Sequence, residues 1–195
     1  MLDRALGRPR RAKDSDVLML TRQSFEEFPD LWVSDPSFDD MRQISDANPQ
    51  QADYRWGSSE IVTWTSTDGL PLEGILFTPD DFDPAKQYPL LVYFYEKNSD
   101  NLHAYRAPGP GGSSVGISFY VSRGYVVFVP DIHYRVGFPG ESALNCVVPG
   151  VLRLVARGFI DPDRIESHNL TRSVLFRGAD VGEVKARVAA RTAGE

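Results

Sequence analysis

Two uninterrupted apolar runs in the middle of the chain dominate its hydropathy pattern. Residues 90–95 are six apolar or aromatic residues without polar alternation, and residues 126–129 are four more. Strands that are apolar on both faces are typical of parallel sheets covered by helices on both sides. Residues 116–123, between the runs, have the pattern of a short helix that ends at Gly124. The order strand, loop, helix, strand predicts the core of an open α/β sheet.

Shorter apolar segments precede these runs and predict further strands. Residues 17–21, 31–34 and 41–44 follow one another at the spacing of a β-meander, with turn residues between them. Residues 61–65 and 72–77 flank a Thr-Asp-Gly sequence, which predicts a hairpin. Residues 1–14 are polar and basic, and we expect a disordered lead-in there.

A long amphipathic helix is predicted after the second run. Ser142 is its expected N-cap, Pro149 is expected to kink it, and Gly158 is expected to end it. A third buried strand is due after residues 159–165, but residues 166–169 are polar and do not continue the sheet. The apolar stripe of the helix consists of Leu144, Val147, Val148, Val151, Leu154 and Val155.

Composition narrows the classes of function. The net charge of −6 gives no reason to expect nucleic acid as a partner, and no apolar run approaches the length of a membrane span. Cys146 is the single cysteine, which excludes an intramolecular disulfide. The basic N-terminus is not followed by the apolar core of a signal peptide, so the compartment is left open, with the cytoplasm as the default expectation.

Candidate chemistry lies where the two buried strands end. Open α/β sheets place their functional groups at the carboxyl ends of the strands. Tyr95 and Glu96 follow the first run, and Asp131 and His133 follow the second. For Asp131 we favour a structural role, that of ordering the loop at residues 132–140.

Three other candidate sites are weaker on sequence grounds. Residues 112–116 satisfy Gly-x-Ser-x-Gly around Ser114, but a nucleophile elbow needs a buried strand before it, and residues 106–111 are rich in proline and glycine. We therefore expect Ser114 to cap the following helix. Cys146 is expected to be a buried thiol rather than a nucleophile. The three histidines, which lack the spacing of metal ligands, are His103, His133 and His168.

The order of several sequence phrases resembles the prolyl oligopeptidase family of serine peptidases, including its dipeptidyl-peptidase and acylaminoacyl-peptidase branches. The principal phrases are residues 88–95, 118–127 and 158–165, and the likeness extends back through residues 67–69 and 72–76. The resemblance implies an α/β fold in which part of an α/β-hydrolase sheet follows β-strands like the last blade of a β-propeller.

The same resemblance implies a division of the chain. Residues 15–54 would be the end of the propeller with its linker, and residues 55–165 the N-terminal half of the peptidase domain. Residues 166–195 would be a tail unrelated to the family. Family members carry their serine nucleophile on the strand after the phrase that ends here at Ile165, and no elbow follows it in this chain.

The resemblance carries one functional position over. Tyr95 matches the tyrosine whose hydroxyl helps to form the oxyanion hole, although Glu96 and Lys97 stand where the family usually has small residues. We expect peptide as the substrate of a full-length relative, no cofactor or metal, inactivity of this chain alone, and self-association through an exposed sheet edge. Two alternatives stay open, a non-catalytic interaction module and an esterase-like hydrolase that uses Ser114.

Overall fold

The computed structural model describes residues 3–109 and 115–161, which form two β-sheets and their covering helices. Two short 3-10 helices occupy Pro49–Asp53 and Ser99–Asn101. The strands and α-helices in chain order are β1 (Ala5–Leu6), β2 (Arg10–Arg11), β3 (Leu18–Gln23), β4 (Asp30–Ser34), β5 (Arg42–Gln43), β6 (Ser58–Thr65), β7 (Pro71–Thr78), β8 (Leu90–Val92), α1 (Ile117–Val121), β9 (Val126–Pro130) and α2 (Pro139–Ala156).

The first sheet is antiparallel and has the order β1-β3-β4-β5, with β2 also paired to β3. The meander predicted from the apolar segments is confirmed as β3, β4 and β5. The disordered lead-in predicted for residues 1–14 is wrong for its described part, because Ala5 pairs with Gln23 and Arg10 pairs with Met19. Backbone groups make these ladder bonds, so the charged Arg10–Arg11 of β2 can pair with β3 as well as the apolar Ala5–Leu6 of β1 does.

The second sheet has the order β6-β7-β9-β8 and contains the predicted α/β unit. Strands β6 and β7 form the expected antiparallel hairpin, and β8 runs parallel to β9 with Leu91 opposite Val127. Strand β8 has three residues rather than the predicted six. Past Tyr93, whose N–H still donates to Phe128 of β9, the chain leaves the sheet.

The continuous apolar run of β9 is explained by helices on both faces of the sheet. Every residue of β9 is buried. Phe128 faces one core together with Leu154 of α2, and Val127 faces the other together with Val121 of α1. Alternate side chains of β9 therefore enter two different cores, which removes any polar alternation.

Helix α2 continues through Pro149, and the kink predicted there stays a prediction. A proline lacks the N–H that would bond the carbonyl four residues earlier. That carbonyl belongs to Asn145, and it accepts a hydrogen bond of 3.0 Å from the N–H of Thr67 instead. The next carbonyl, of Cys146, accepts one of 2.8 Å from Nε1 of Trp64 in β6. The hairpin thus supplies a hydrogen-bond donor to the helix carbonyl that Pro149 leaves without one.

The predicted helix ends are partly correct. Gly158 lies just beyond α2 at φ 89°, a conformation that favours glycine, as expected for the end of the helix. Ser142 is not the N-cap of α2, because Phe138 holds that position and Ser142 lies inside the first turn. The Ser142 hydroxyl donates to the carbonyl of Phe138 at 2.7 Å and accepts from the N–H of Arg135 at 2.9 Å. It orders the approach to the helix rather than its first N–H groups.

An aromatic contact joins the two sheets. Phe25, which follows β3, is almost fully buried and packs edge-on against Phe77 of β7 with ring centroids 4.8 Å apart. Nε1 of Trp56 donates to the carbonyl of Phe25, and the Trp56 ring stacks on Tyr105 at 5.3 Å. Within the described ranges, no helix has both the length and the apolar character needed to cross a membrane.

Candidate functional site

The candidate site lies where the chain leaves the parallel strands β8 and β9. Both strands end at the same edge of the sheet, so the loops that follow them meet there. The N–H of Ile132 donates to the carbonyl of Glu96 at 3.1 Å. The Tyr134 hydroxyl donates to the carbonyl of Tyr95 at 2.7 Å. The four candidate positions 95, 96, 131 and 133 are thus brought to one edge, as the sequence predicted.

Asp131 organises this edge from a buried position. One of its carboxylate oxygens accepts hydrogen bonds from the N–H groups of Asn98 at 2.7 Å and Ser99 at 2.9 Å. The other accepts from the Ser99 hydroxyl at 2.5 Å. Three donors make this a strong anchor, because hydrogen bonds to a charged acceptor exceed neutral ones in strength. The predicted target, the loop at residues 132–140, is wrong: Asp131 holds the loop that follows β8.

Tyr95 presents its side chain at the surface of this edge. The residue is 76% exposed, and no described residue hydrogen-bonds its hydroxyl. Its backbone is nevertheless fixed, through the bond from Tyr134 to its carbonyl and through the neighbouring bond between Ile132 and Glu96. The Tyr95 hydroxyl can therefore donate a hydrogen bond to a ligand, and the backbone that carries it is fixed. The oxyanion role expected for Tyr95 remains a prediction.

A cavity of about 590 Å³ opens beside Tyr95. Its walls come from the loop after β8, from the segment at residues 104–109 and from the start of α1. Lys97 in its wall forms an exposed ion pair of 2.9 Å with Asp100, and that carboxylate raises the pKa of the Lys97 ammonium. The polar or charged side chains in the wall are those of Tyr93, Tyr95, Glu96, Lys97, Asn98, Tyr105 and Arg106.

A larger open cleft of about 1280 Å³ lies on the other side of the same loop. Glu96 and Lys97 line it too, together with Asp131 and His133. The hairpin residues of β6 and β7 and the middle of α2 complete its walls. His133 is exposed here and has no carboxylate partner within ion-pair distance among the described residues.

The other sequence candidates do not join the site. Cys146 is buried, as the sequence predicted, and burial raises the pKa of its thiol. His103 and His133 belong to no group of three potential metal ligands within the described residues. Ser114 and His168 lie outside the described residues.

Sequence reasoning missed Arg106. It stands in the proline- and glycine-rich segment that served only as an argument against a strand before Ser114. The structure places it in the cavity wall with Tyr95, and its Nε is buried without a hydrogen-bond partner. No local pattern marks such a residue, because its burial arises from packing between the loop after β8 and α1.

Comparison with known proteins gives relatives in sequence and structures of similar fold. The chain is 30% identical over 147 residues to human dipeptidyl peptidase 8, a match that covers 63% of this chain and 16% of that protein. The chain therefore spans less than a fifth of the length of this curated relative. No family model matches it.

Solved structures with the same fold are peptidases. The AtxE2 isopeptidase superposes with a TM-score of 0.57 at 18% identity, over 82% of this chain and 26% of that one. The acylaminoacyl peptidase of Pyrococcus horikoshii also gives 0.57, at 16% identity, over 85% of this chain and 27% of that one. Similarity in sequence and in fold thus agrees with the phrases noted in the sequence, and the chain is related to the serine peptidases of the prolyl oligopeptidase family.

Proposed function

We propose that this chain supplies the end of the propeller and the first half of the hydrolase domain of a peptidase that cleaves peptide bonds through an acyl-enzyme. In this proposal residues 15–54 are the terminal blade and linker, and residues 55–165 belong to the peptidase domain. Residues 166–195 are a tail that does not belong to the family. Peptide is the substrate, and the Tyr95 hydroxyl donates to the oxyanion of the tetrahedral intermediate.

The observation that carries the proposal is the position of Tyr95. An oxyanion donor must be held rigidly while its hydrogen remains available to the substrate. Tyr95 meets both conditions, because its carbonyl is bonded to Tyr134 and its ring is exposed at the carboxyl end of a parallel strand. Asp131 supports this arrangement through its three bonds to the loop that follows.

We also propose that this chain alone does not hydrolyse peptides. Its one Gly-x-Ser-x-Gly sequence is at residues 112–116. Residues 104–109, which precede it, are not a strand, and an elbow depends on a strand to hold its serine at the edge of the sheet. A fluorophosphonate probe is expected to label no serine of the purified chain. Labelling that disappears in Ser114→Ala would favour an esterase that uses this serine.

The role of Tyr95 is testable in a chimera. Residues 3–161 would replace the matching part of dipeptidyl peptidase 8, whose remaining sequence completes the hydrolase domain. Labelling of the chimera by the fluorophosphonate probe shows that its active site has formed. In that protein Tyr95→Phe is expected to lower kcat about 10²- to 10³-fold with little change in KM, as loss of one oxyanion donor does. Tyr54→Phe, at an exposed tyrosine outside this site, is the matched control. An equal kcat of the Tyr95→Phe variant and the unmodified chimera contradicts the proposal.

A further inference from the structure

Arg106 carries a charge that no described residue neutralises. Its Nε is buried without a hydrogen-bond partner, and no described carboxylate lies within ion-pair distance of the guanidinium. Removing a polar group from water without a partner costs free energy, and removing a charge costs more. Such a group therefore calls for a partner that binds at this place.

The backbone of Arg106 is fixed. Its carbonyl accepts a hydrogen bond from the Ser118 hydroxyl in α1, which ties the segment at residues 104–109 to the helix. Burial lowers the pKa of the Arg106 guanidinium, and the nearby Tyr93 opposes that change. An arginine begins from so high a pKa that it stays a cation at neutral pH.

The other charges in the cavity leave Arg106 without compensation. Lys97 is paired with Asp100, so its charge is largely balanced at the surface. Glu96 is exposed and lies beyond ion-pair distance of Arg106. Tyr93 and Tyr95 contribute phenols, which can donate hydrogen bonds to the same ligand. The half-buried Arg106 guanidinium thus lies beside two phenols without a described counter-ion, an arrangement that favours an anion.

We propose that Arg106 forms a subsite beside Tyr95 that binds a carboxylate of a peptide ligand. A guanidinium presents N–H donors in a planar fork that matches a carboxylate. The proposal deepens the proposed peptidase function and rests on it for the identity of the ligand as a peptide. The carboxylate is either the C-terminus of the peptide or an acidic side chain, and the two sources share the same chemistry.

Matched peptides test this subsite on the purified chain. N-acetyl-Ala-Asp-Ala-amide is compared with its Asn counterpart, and N-acetyl-Ala-Ala-Ala with a free C-terminus is compared with its amide. Titration calorimetry gives the affinities, and heteronuclear NMR follows the Nε–H resonance of Arg106, assigned by its loss in Arg106→Lys. In at least one pair the carboxylate form is expected to bind about tenfold more tightly and to shift that resonance. The pair that shows the effect identifies the source of the carboxylate.

Two variants distinguish binding at this subsite from an effect of the net charge of the chain. Arg106→Gln is expected to abolish the preference for the carboxylate form, whereas Arg153→Gln removes the same charge from the exposed face of α2 and is expected to retain it. If Arg106→Gln does not fold, the two peptide pairs on the unmodified chain still decide. Equal affinities in both pairs, or a preference without a shift of the Arg106 resonance, overturn the proposal. Failure of the oxyanion role leaves kcat of the Tyr95→Phe chimera unchanged, whereas failure of this subsite makes the affinities within both peptide pairs equal, so the two failures are distinguishable.

Discussion

At the scale of single residues, Asp131 orders the loop that carries part of the candidate site. Its carboxylate joins the end of β9 to the loop after β8 through Asn98 and Ser99. Asp131→Ala removes the acceptor of three hydrogen bonds and leaves two N–H groups and a hydroxyl in a mostly buried place. We expect a loss of about 2 to 4 kcal/mol in the free energy of unfolding, measured in urea.

Two further variants check that prediction. Ser99→Ala removes one of the three donors and should cost about 1 kcal/mol. Asp100→Ala removes an exposed neighbouring carboxylate whose partner is the exposed Lys97, and it should change the free energy of unfolding little. Equal effects of Asp131→Ala and Asp100→Ala would show that the buried carboxylate does not anchor the loop.

At the scale of elements, Glu27 forms ion pairs that stabilise the edge of the first sheet. It accepts from the side chains of Arg22 in β3 and Arg4 just before β1, each with an N···O distance of 2.7 Å. Burial raises the pKa of the Glu27 carboxyl, but the hydrogen bonds and charges of the two arginines outweigh burial, and the net pKa is lowered. The stabilisation is therefore present above the unfolded pKa of about 4.3 and is lost as the pH falls through the lower folded pKa.

The test compares Glu27→Gln with the unmodified chain at several pH values. At pH 7 the variant is expected to be less stable by about 1 kcal/mol, since the pairs are partly exposed. The difference in the free energy of unfolding between the two proteins should shrink towards zero as the pH is lowered below about 4.3. Glu26→Gln, at an exposed neighbour that has no ion pair among the described residues, should show no such pH dependence. A difference that stays constant down to acid pH would exclude the linkage.

Substituting two glycines of α2 by alanine distinguishes the effect of helix propensity from that of packing against the sheet. A methyl group on Gly150 would lie 2.9 Å from Cε2 of Trp64 and 3.0 Å from Cε1 of Phe128, closer than real contacts allow. A methyl group on Gly140 would meet nothing within 4 Å. Alanine favours a helix over glycine by up to about 1 kcal/mol. We expect Gly140→Ala to stabilise the chain by less than about 1 kcal/mol, and Gly150→Ala to destabilise it by about 1 to 3 kcal/mol.

Thermal and urea unfolding of the two glycine variants measure the difference. Because both substitutions add the same methyl group to the same helix, opposite signs isolate the contact of α2 with the sheet. A stabilising effect at both positions would mean that the helix does not pack closely against Trp64.

The elements most readily predicted from the sequence are those buried on both faces. The apolar run of β9 has no polar alternation because Phe128 and Val127 enter different cores, and periodicity reveals this directly. Helix ends and loops were harder to predict. Pro149 was expected to kink α2. The hydrogen bonds that Thr67 and Trp64 make to the helix carbonyls just before it could not be predicted, because both residues are distant in sequence. Contacts that depend on distant partners leave no local pattern.

The candidate site, too, has residues that a local pattern predicts and residues that depend on distant contacts. The positions of Tyr95 and Asp131 followed from the rule that chemistry lies at the carboxyl ends of parallel strands. The partner of Asp131 did not follow, because Ser99 lies 32 residues away in the chain. Arg106 was not found at all, since its importance depends on burial and on a missing partner. Sequence patterns predicted the edge of the sheet that carries the site, and three-dimensional packing determined which residues complete it.

At the scale of the whole molecule, the second sheet has an open side at β8. Strand β8 pairs with β9 on one side, and on the other side the described residues add only a bridge between Tyr88 and Ile160. The carbonyl of Pro89 and the N–H of Tyr93 both bond to β9. Along a parallel strand, the backbone groups of alternate residues point to opposite sides. Residues 89, 91 and 93 therefore face β9, and the N–H and carbonyl groups of Leu90 and Val92 point to the open side.

An unpaired strand edge is a template for pairing with another chain, and we predict that the purified chain self-associates through β8. Val92→Pro removes an outward N–H while keeping the bonds to β9, and the preceding residue is already extended, as proline requires. Sedimentation velocity over a range of concentrations should show association of the unmodified chain and a shift of about tenfold or more towards monomer in the variant.

The matched control is a proline at a position that no strand edge uses. Val136→Pro lies in the exposed loop between β9 and α2, where the Val136 N–H bonds no described residue, and should leave association unchanged. If the unmodified chain is monomeric at every concentration, the edge at β8 is covered within the chain itself. If both proline variants associate as strongly as the unmodified chain, association occurs through another surface. A loss confined to Val92→Pro assigns it to β8, because that substitution removes one outward donor and leaves the charge of the chain unchanged.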